Sequence, residues 1–414
     1  MDVRAQLIGY PKIGPRRELK WALEKMWSGR MEADAFDARI AELRQAHLDE
    51  QRDAIGSAVD DYFLYDEVLE TALMLGVVPW QADDAFGVLT ALSRGTPERE
   101  AWEMTKWFDT NYHYVVPEIS APVDTLRPLP WREPIDRAAS WAILGPYSLV
   151  KLSKLDGVDA QELAASAGAA IWAWVGLQPG LHLLLDEPCL GMVMTDDDRA
   201  IRDAAYDGAD QLDLAEPPLV AVQFGRASEE TLEALGRIGL AVQVPVEQVA
   251  ALRGTAAWDA QPEHVIAVMD GRSVWPDSFE VAAGALDGLD DGKVVRLVPS
   301  TSLGLLPYTV DGEDLPAGFQ FAREKARALG SWPSALASGQ APSVPTPPAV
   351  EWPAIGELTP REAREARKQA QADLSLPAYP TTTTGSLPQT AEVRQLRVQL
   401  SKGEIFWEEF VVVI

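Results

Sequence analysis

Short apolar runs, rich in β-branched and aromatic residues, recur along the first three quarters of the chain. They are nearly continuous rather than alternating, which is the pattern of strands covered on both faces. Glycine, proline or polar residues bound each run, as expected where strands end. The predicted strands are Ala5–Gly9, Tyr112–Val116, Trp141–Leu144, Leu181–Leu185, Leu219–Phe224, Leu240–Val244, Val265–Met269 and Val294–Val298.

Segments with helical periodicity separate these runs. Residues 17–27 place Leu19, Leu23 and Met26 on one side of a helix. Eight strands alternating with helices predict an α/β fold, a (β/α)8 TIM-type barrel, and favour it over an open doubly wound sheet. In such a barrel, ligand sites are built at the carboxyl ends of the strands. Further helices are predicted near 34–55, 66–75, 97–108, 160–175, 228–236 and 319–329.

The composition changes after residue 330. Residues 331–353 contain six prolines, which predicts a semi-extended linker, and an arginine-rich helix follows. The last segment has the pattern of a second domain that is too short for a core of its own. The predicted organisation is a barrel over 1–330, a linker with a charged helix over 331–373, and the truncated start of a second barrel over 374–414.

The chain is strongly acidic. Its 414 residues include 36 Lys and Arg against 63 Asp and Glu, for a net charge of −27. Such a chain repels phosphate backbones and anionic lipid surfaces, so we expect no nucleic acid and no membrane as partners. The single cysteine, Cys189, forms no intrachain disulfide, and no secretory signal or spanning segment is predicted, as in a cytoplasmic protein.

Residues 1–30 depart from this acidic character, because they carry seven basic and three acidic side chains. Arg16, Arg17 and Lys20 fall within one turn at the start of a predicted helix, where free N–H groups also favour anions. This pattern suits a small anionic ligand, although an ordinary solvated helix start would have the same charges. Residues 104–118, which are dense in aromatic and polar groups, are expected to form a ligand wall.

These segments resemble the cobalamin-independent methionine synthase family. The resemblance follows the family order along essentially the whole chain. It rests on GYPKIGPRRELKWALEKMW (9–27), FLYDEVLETALMLG (63–76), MTKWFDTNYHYVVPE (104–118), LLLDEPCL (183–190), VMDGRSVW (268–275), VPSTSL (298–303) and LPAYPTTTTGSLPQTAEVR (376–394).

The resemblance implies two facing (β/α)8 barrels. It also implies transfer of a methyl group from 5-methyltetrahydropteroyl polyglutamate to homocysteine. In the family, a zinc ion in the second barrel binds the homocysteine sulfur as a thiolate, and the first barrel forms part of the folate wall without zinc. The implied partners are therefore the folate, homocysteine and a C-terminal barrel, present in cis or in trans.

The resemblance also implies individual site residues. Lys106 matches a lysine that contacts the folate, and cationic side chains suit its glutamate tail. The same role falls to four consecutive residues that match the family's RELK segment, namely Arg17, Glu18, Leu19 and Lys20. A turn that contacts the amino-acid substrate, often Ile-Gly-Ser in the family, is matched by Thr384, Gly385 and Ser386.

No catalytic or metal-binding residue is predicted in this chain. The family's zinc ligands, which include a His-x-Cys pair, have no counterpart here, so zinc is expected only with the missing C-terminal barrel. Cys189 is predicted to be a small buried hydrophobe. Asp186 and Glu187 are adjacent on a strand and so point in opposite directions, which makes them a poor acid–base pair.

Three hypotheses follow. The first is that the chain is the N-terminal part of a methionine synthase and is inactive alone. The second is a non-catalytic folate-binding or interaction module, or one half of a split enzyme, which would expose an apolar barrel face. The third, ranked last, is another barrel enzyme with Glu118, Asp186 or Asp270 as its base.

Overall fold

The computed structural model describes residues 2–136, 139–316, 318–342, 360–381, 390–407 and 410. The chain divides into two compact units, Met1–Pro348 and Ala349–Ile414, and each is described by itself. All of the strands given below lie in the first unit.

Eight parallel strands form the centre of the first unit. They are β1 (Val3–Ala5), β2 (Val59–Asp60), β3 (Ser140–Leu144), β4 (His182–Asp186), β5 (Leu219–Ala221), β6 (Ala241–Pro245), β7 (His264–Met269) and β8 (Val295–Pro299). Their order in the sheet is β1-β8-β7-β6-β5-β4-β3-β2, so neighbours in the sheet follow one another along the chain. Within strands β3 to β8 nearly every residue is buried. The predicted (β/α)8 barrel is confirmed.

Side chains bridge the seam between the first strand and its neighbours. The Ser57 hydroxyl, just before β2, donates to the carbonyl oxygen of Ala5 over 3.3 Å. Gln6 Nε2 donates to Ser140 Oγ over 3.0 Å, and Gln6 Oε1 accepts from Arg296 Nη1 over 2.9 Å. These bonds hold the segment after β1 against both β3 and β8.

The helices of the first unit surround the sheet and bury one side against it, whereas the helices of the second unit are described by themselves. In the helix Ala160–Gly176, for example, the Asp159 carboxylate caps the first turn, while Leu163 and Ile171 are fully buried. Within the described residues, none of these helices combines the length and apolarity needed to cross a bilayer. They are α1 (Glu18–Trp27), α2 (Ala33–Ile55), α3 (Glu67–Met74), α4 (Ala85–Arg94), α5 (Pro146–Lys151), α6 (Ala160–Gly176), α7 (Asp196–Tyr206), α8 (Glu229–Arg237), α9 (Val249–Leu252), α10 (Ala256–Ala260), α11 (Phe279–Leu286), α12 (Ala322–Ser338), and, in the second unit, α13 (Pro360–Gln371) and α14 (Ala391–Ser401).

The second strand of the barrel is not the predicted one. The predicted strand Tyr112–Val116 lies in an antiparallel hairpin, in which Met104–Lys106 pairs with His113–Val115. The helix predicted near 97–108 is also wrong, because the helix of this region is α4 and the hairpin follows it. Tyr114, Val115 and Val116 are buried in succession, which gives the nearly continuous apolar pattern of a barrel strand.

Buried ion pairs, rather than an apolar run, hold β2 in its place. The Arg44 guanidinium pairs with both carboxylate oxygens of Asp60, the second residue of the strand. Arg132 Nη1 donates to the carbonyl oxygen of Asp60 over 3.1 Å. Burial raises the pKa of the Asp60 carboxyl, but Arg132 and Arg44 outweigh it and hold that pKa below its usual value. A strand of two residues held in this way has no hydrophobic period to detect.

The predicted linker is wrong at its beginning, because α12 continues to Ser338 with Pro333 inside it. Leu329 and Trp332 are buried, and their packing compensates for the hydrogen bond that the proline removes. Beyond the linker, the predicted arginine-rich helix is confirmed as α13, and α14 follows it in the chain. The assignment of 374–414 to a second barrel stays a prediction.

Close packing of α12 on α2 depends on Gly330. A Cβ at this position would lie 2.4 Å from the carbonyl oxygen of Ala54. We therefore expect Gly330→Ala to lower the free energy of unfolding of the barrel by about 1–3 kcal/mol. Thermal denaturation followed by circular dichroism measures the change.

Gly284→Ala is the matched control, since Gly284 lies on the exposed side of α11 and a Cβ there meets no atom within 4 Å. It should stabilise the helix by up to about 1 kcal/mol. Equal shifts in the midpoints of the two variants would contradict the packing argument.

Candidate functional site

Two adjoining cavities open at the carboxyl ends of the strands. The outer cleft has a volume of about 1160 Å³ and is lined by the loop between β1 and α1, by residues near the hairpin and by the segment after β8. The inner pocket, of about 210 Å³, lies deeper between the strand ends. Both cavities are lined by Lys12, Tyr65, Tyr112, His113, Gly304 and Leu305.

The loop after β1 forms a wall of both cavities. The observed strand β1 ends at Ala5, where the predicted strand Ala5–Gly9 begins. The residues that follow Ala5 form a loop that leads to the cavities. A Cβ on Gly9 would lie 2.2 Å from Ser302 Oγ, so only glycine lets the loop after β8 approach this closely. The contact holds the loop in the position from which Lys12 faces both cavities.

The RELK segment forms the start of α1 beside the outer cleft. Arg17, Leu19 and Lys20 line the cleft, whereas Glu18 does not. The Glu18 carboxylate turns back on its own loop and accepts from Arg16 N over 2.9 Å. Arg17 precedes the helix in the left-handed conformation, at a φ of 62°, which is uncommon for a non-glycine residue and is found where the surroundings hold it.

Lys106 lies at the end of the first hairpin strand and is exposed. It pairs directly with His113 across the hairpin, and paired side chains lie on the same face. His113 lines both cavities and Met104, two residues before Lys106, lines the outer cleft, so Lys106 lies on the hairpin face next to the cleft, but it is not itself a lining residue of either cavity. Trp107, the next residue, is buried in the wall of the inner pocket.

The tip of the hairpin is fastened over the barrel. The Phe108 ring stacks on Phe224, which follows β5, with a centroid separation of 4.8 Å and an interplanar angle of 11°. Arg272, which follows β7, pairs with Asp109 over 2.8 Å between Nη1 and Oδ1. Both stacked phenylalanines have a positive φ. These contacts fix the wall that Trp107 contributes.

Carboxyl groups concentrate in the inner pocket. Asp186, at the end of β4, accepts from Gln223 Nε2 through Oδ2 over 2.7 Å. The Glu67 carboxyl, at the start of α3, lies within hydrogen-bonding reach of Asp186. Burial raises the pKa of Asp186 to about 7, and burial together with the Asp186 charge raises the pKa of Glu67 well above its usual value. Burial also raises the pKa of Asp66 to about 6.

Glu187 faces away from this pocket and has a structural role. Its carboxylate accepts from Tyr147 N over 3.0 Å, Ser148 N over 2.7 Å and the Tyr206 hydroxyl over 2.8 Å. It therefore orients the start of α5. The prediction that Asp186 and Glu187 point in opposite directions is confirmed, and they do not form an acid–base pair.

The other residues considered from sequence do not join the two cavities. Glu118 is exposed and lies in a strand that pairs with residues 154–155, and Asp270 is exposed and accepts from Arg272 N. Neither carboxylate lines the outer cleft or the inner pocket. Thr384, Gly385 and Ser386 lie outside the described residues.

Cys189 is buried, as predicted, just beyond β4. Burial raises the pKa of its thiol to about 12, so the thiol stays protonated and is a poor metal ligand. Across the described ranges, no group of three or more His, Cys, Asp or Glu side chains could hold a metal ion.

Sequence reasoning did not identify Glu67 and Gln223 as pocket residues. Glu67 lies in the segment FLYDEVLETALMLG, which carries part of the family resemblance, but the pattern does not show that it faces Asp186. Gln223 lies inside the predicted strand Leu219–Phe224, but the observed strand β5 ends at Ala221 and Gln223 follows it. Their approach depends on the strand order of the closed barrel, which brings distant segments to one edge.

Comparison with known proteins gives the family of this fold and site. Residues 4–292 match the family model described as cobalamin-independent synthase, N-terminal domain. The chain belongs to the cobalamin-independent synthase family. A curated relative from Rhodococcus jostii, named 5-methyltetrahydropteroyltriglutamate–homocysteine methyltransferase, is 34% identical over 98% of this chain and 60% of its own length. Relatives of the same name from Chelativorans sp. and Caulobacter vibrioides are 33% and 32% identical.

The chain thus spans about 60% of the length of the curated relatives that it matches. A solved structure described as the putative vitamin-B12 independent methionine synthase from Listeria monocytogenes aligns with a TM-score of 0.52 and 12% identity. It covers 81% of this chain and 98% of that chain. At this identity the likeness shows the shared fold of this cobalamin-independent synthase domain.

The raised pKa of Asp186 has a consequence for stability. Between its usual value of 3.8 and about 7, the folded state binds the proton more tightly than the unfolded state does. The contribution of Asp186 to stability is therefore present at low pH and lost as the pH rises towards about 7. Asp186→Asn should raise the free energy of unfolding at about pH 8 by about 1–3 kcal/mol and change it little at about pH 4. Denaturation midpoints at both pH values measure the difference.

Asp198 provides a control of opposite sign, since a hydrogen bond from Lys151 lowers the pKa of its carboxyl to about 2. Its contribution is present above about pH 4 and lost at lower pH, so Asp198→Asn should destabilise the protein at neutral pH. If Asp186→Asn destabilised the protein equally at both pH values, the assignment of a buried, protonated carboxyl would be wrong.

Proposed function

We propose that this chain forms the folate-tail side of a methyltransferase that moves a methyl group from 5-methyltetrahydropteroyl polyglutamate to homocysteine. The observation that carries the proposal is the cationic outer cleft of an otherwise acidic chain. Four basic side chains of the first loop and helix line it, namely Lys12, Arg16, Arg17 and Lys20, and with Arg323 they outnumber the two acidic lining residues, Asp311 and Glu313. The names of the relatives support the same reaction, and methionine biosynthesis is its setting.

A polyglutamate tail is a chain of carboxylates, so its binding needs several cations spaced along one wall. Arg17 can pair with a carboxylate through two parallel N–H groups, and Lys20 supplies a point charge one helical turn away. The positive end of the α1 dipole adds to this field. Lys106, exposed on the hairpin face beside the cleft, is proposed to add a further positive charge. Such a cleft takes up the tail by charge and leaves the folate ring free to reach a second barrel.

The two remaining residues of the RELK segment have positioning roles in this proposal. Leu19 is buried and anchors α1 against the core. Glu18 accepts from Arg16 N and so fixes the loop that presents the cations. On this account Arg17, Lys20 and Lys106 bind the tail, whereas Glu18 and Leu19 hold the binding surface in shape.

Zinc is the group that the family resemblance implies for activation of the homocysteine thiol, which it would bind as a thiolate. The described residues do not fit it, since the Cys189 thiol is buried and protonated and no suitable group of ligands is present among them. We propose that zinc and homocysteine are bound by a second barrel, joined in cis or in trans. Thr384, Gly385 and Ser386 are proposed to contact the amino acid. A cytoplasmic location is part of this proposal.

A second candidate function is a folate-binding or interaction module without catalysis, or one half of a split enzyme. Large apolar side chains are exposed around the outer cleft, where a partner barrel would cover them. Tyr112 and Met104, which line the cleft, have 56% and 44% of their surface exposed. This surface favours association with a partner in either case. Turnover on addition of a separately produced second barrel would distinguish the split enzyme from the module.

The folate-tail proposal predicts a charge-dependent preference for longer tails. Lys20→Ala and Lys106→Ala should each weaken binding of 5-methyltetrahydropteroyl triglutamate roughly fivefold to tenfold, because each removes one charge-assisted contact. Binding of the monoglutamate should change less. Isothermal titration calorimetry with the purified chain at two salt concentrations measures both ligands.

Lys25→Ala is the matched control, since Lys25 also lies on α1 but does not line the outer cleft. It removes the same charge and should leave the affinity for the triglutamate unchanged within roughly twofold. Absence of any triglutamate binding, or equal losses in all three variants, would refute a tail site on this wall.

A further inference from the structure

We propose that the inner pocket is a separate binding site for a small molecule that carries one ammonium group, held by the carboxyl groups of Glu67 and Asp186. This site does not depend on the folate-tail proposal, because it uses other residues and a ligand of opposite charge. It is the acidic and aromatic counterpart of the cationic outer cleft.

Asp186 presents an oriented carboxyl group to the pocket. The residue is 4% exposed, and its Oδ2 accepts from Gln223 Nε2 over 2.7 Å. Gln223 Oε1 accepts from Ser302 N over 2.7 Å, which sets the orientation of the amide. The other carboxylate oxygen, Oδ1, is buried and has no hydrogen-bond donor among the described residues. A buried acceptor without a donor is costly, so a ligand that brings N–H groups gains by supplying one.

Glu67 supplies the second acceptor. Its carboxyl lies within hydrogen-bonding reach of Asp186, and two buried carboxylates at this distance cannot both be ionised without a cation. Burial raises the pKa of both groups, so the unliganded pair is expected to keep one proton. An ammonium group bound beside the pair would replace this proton, donate to both carboxylates and neutralise one of the two charges.

The neighbouring carboxylates are already committed. Asp61 Oδ2 accepts from Tyr10 N over 2.9 Å, and its Oδ1 lies 2.8 Å from His47 Nε2. Asp66 accepts from the backbone N–H groups of Leu69 and Val115, over 2.7 Å and 3.1 Å. The Glu67–Asp186 pair is thus the acidic element of the pocket that is left for a ligand.

The remaining walls suit an organic cation. Aromatic side chains face the pocket, and the electron-rich face of such a ring attracts an ammonium group. The Trp107 ring is held nearly edge-on to Tyr114, with centroids 5.7 Å apart and planes at 80°. At about 210 Å³ the pocket is smaller than sites for drug-sized molecules. The aromatic lining consists of Tyr10, Tyr65, Trp107, Tyr112 and Tyr114.

A metal ion and a diamine both fit this pocket less well than a monoamine. A metal ion would need more ligands than the pair provides, and the described residues contain no group of three or more side chains that could hold one. The Lys12 ammonium lies 5.4 Å from the centre of the Phe63 ring, at the junction of the two cavities. From there the Lys12 charge acts on Glu67 and repels each positive charge on a ligand, so a monoamine should bind better than a diamine.

Propylamine, protonated at neutral pH, is the probe for this site. Calorimetric titration of the full chain at about pH 7 should show saturable binding that releases up to about one proton, measured in phosphate and in HEPES. The uncharged analogue propanol should not bind, and ethylenediamine should bind more weakly. Asp186→Asn and Glu67→Gln should each lower the affinity roughly tenfold or more and abolish the proton release.

Glu118→Gln is the control, because it removes an exposed carboxylate that lines neither cavity. It should leave propylamine binding unchanged, and Lys20→Ala should do the same, which separates this site from the folate-tail site. No saturable binding of propylamine to the wild-type chain would overturn the proposal. Equal binding of propanol, or binding without proton release, would do so as well.

Discussion

The parallel direction of the eight strands is the constraint on which the rest of this structure depends. Because every strand runs the same way, all the carboxyl ends meet at one edge, and each loop that follows a strand contributes to the same mouth. The close approach of Gly9 to Ser302 brings together the loops that follow the first and last strands. Segments far apart in the chain, such as those that contain Glu67 and Asp186, become neighbours for this reason alone.

The outer cleft and the inner pocket differ in the charge of the side chains that line them. Basic side chains outnumber acidic ones in the outer cleft, whereas Glu67 and Asp186 lie deeper, where burial favours their protonated forms. The hairpin contributes to both regions, because Met104 lines the outer cleft and Trp107 lines the inner pocket. An acidic protein thereby offers a cationic surface to an anion and a separate, partly neutral pocket to a cation.

The sequence predicts the parts of the fold whose hydrophobic pattern is long enough to detect. Strands β3, β4, β6, β7 and β8 and helices α1, α2 and α6 follow that pattern closely. It could not predict β2, because two residues carry no period and Arg44 and Arg132 hold the strand through ion pairs. The second strand of the hairpin has the sequence pattern of a barrel strand because Tyr114, Val115 and Val116 are buried in succession. Pro333 concealed the end of α12, where tertiary packing outweighs the local preference.

The candidate site was predictable only in part. The basic residues of 9–20 could be recognised because they are close together in the sequence and match a family segment. Asp186 stood out as a polar residue after an apolar strand, but its partners Glu67 and Gln223 did not, since only the three-dimensional order of strands brings them to it. Local sequence patterns record local contacts, and the inner pocket is built from non-local ones.

The central claim is that the loop between β1 and α1, together with the hairpin, forms the surface that binds the folate tail. Amide hydrogen exchange of the chain with and without 5-methyltetrahydropteroyl triglutamate tests it most directly. The account predicts slower exchange in residues 12–20 and 104–113, with little change at the amino-terminal ends of the strands. Protection confined to other parts of the barrel, with these two segments unchanged, would contradict it.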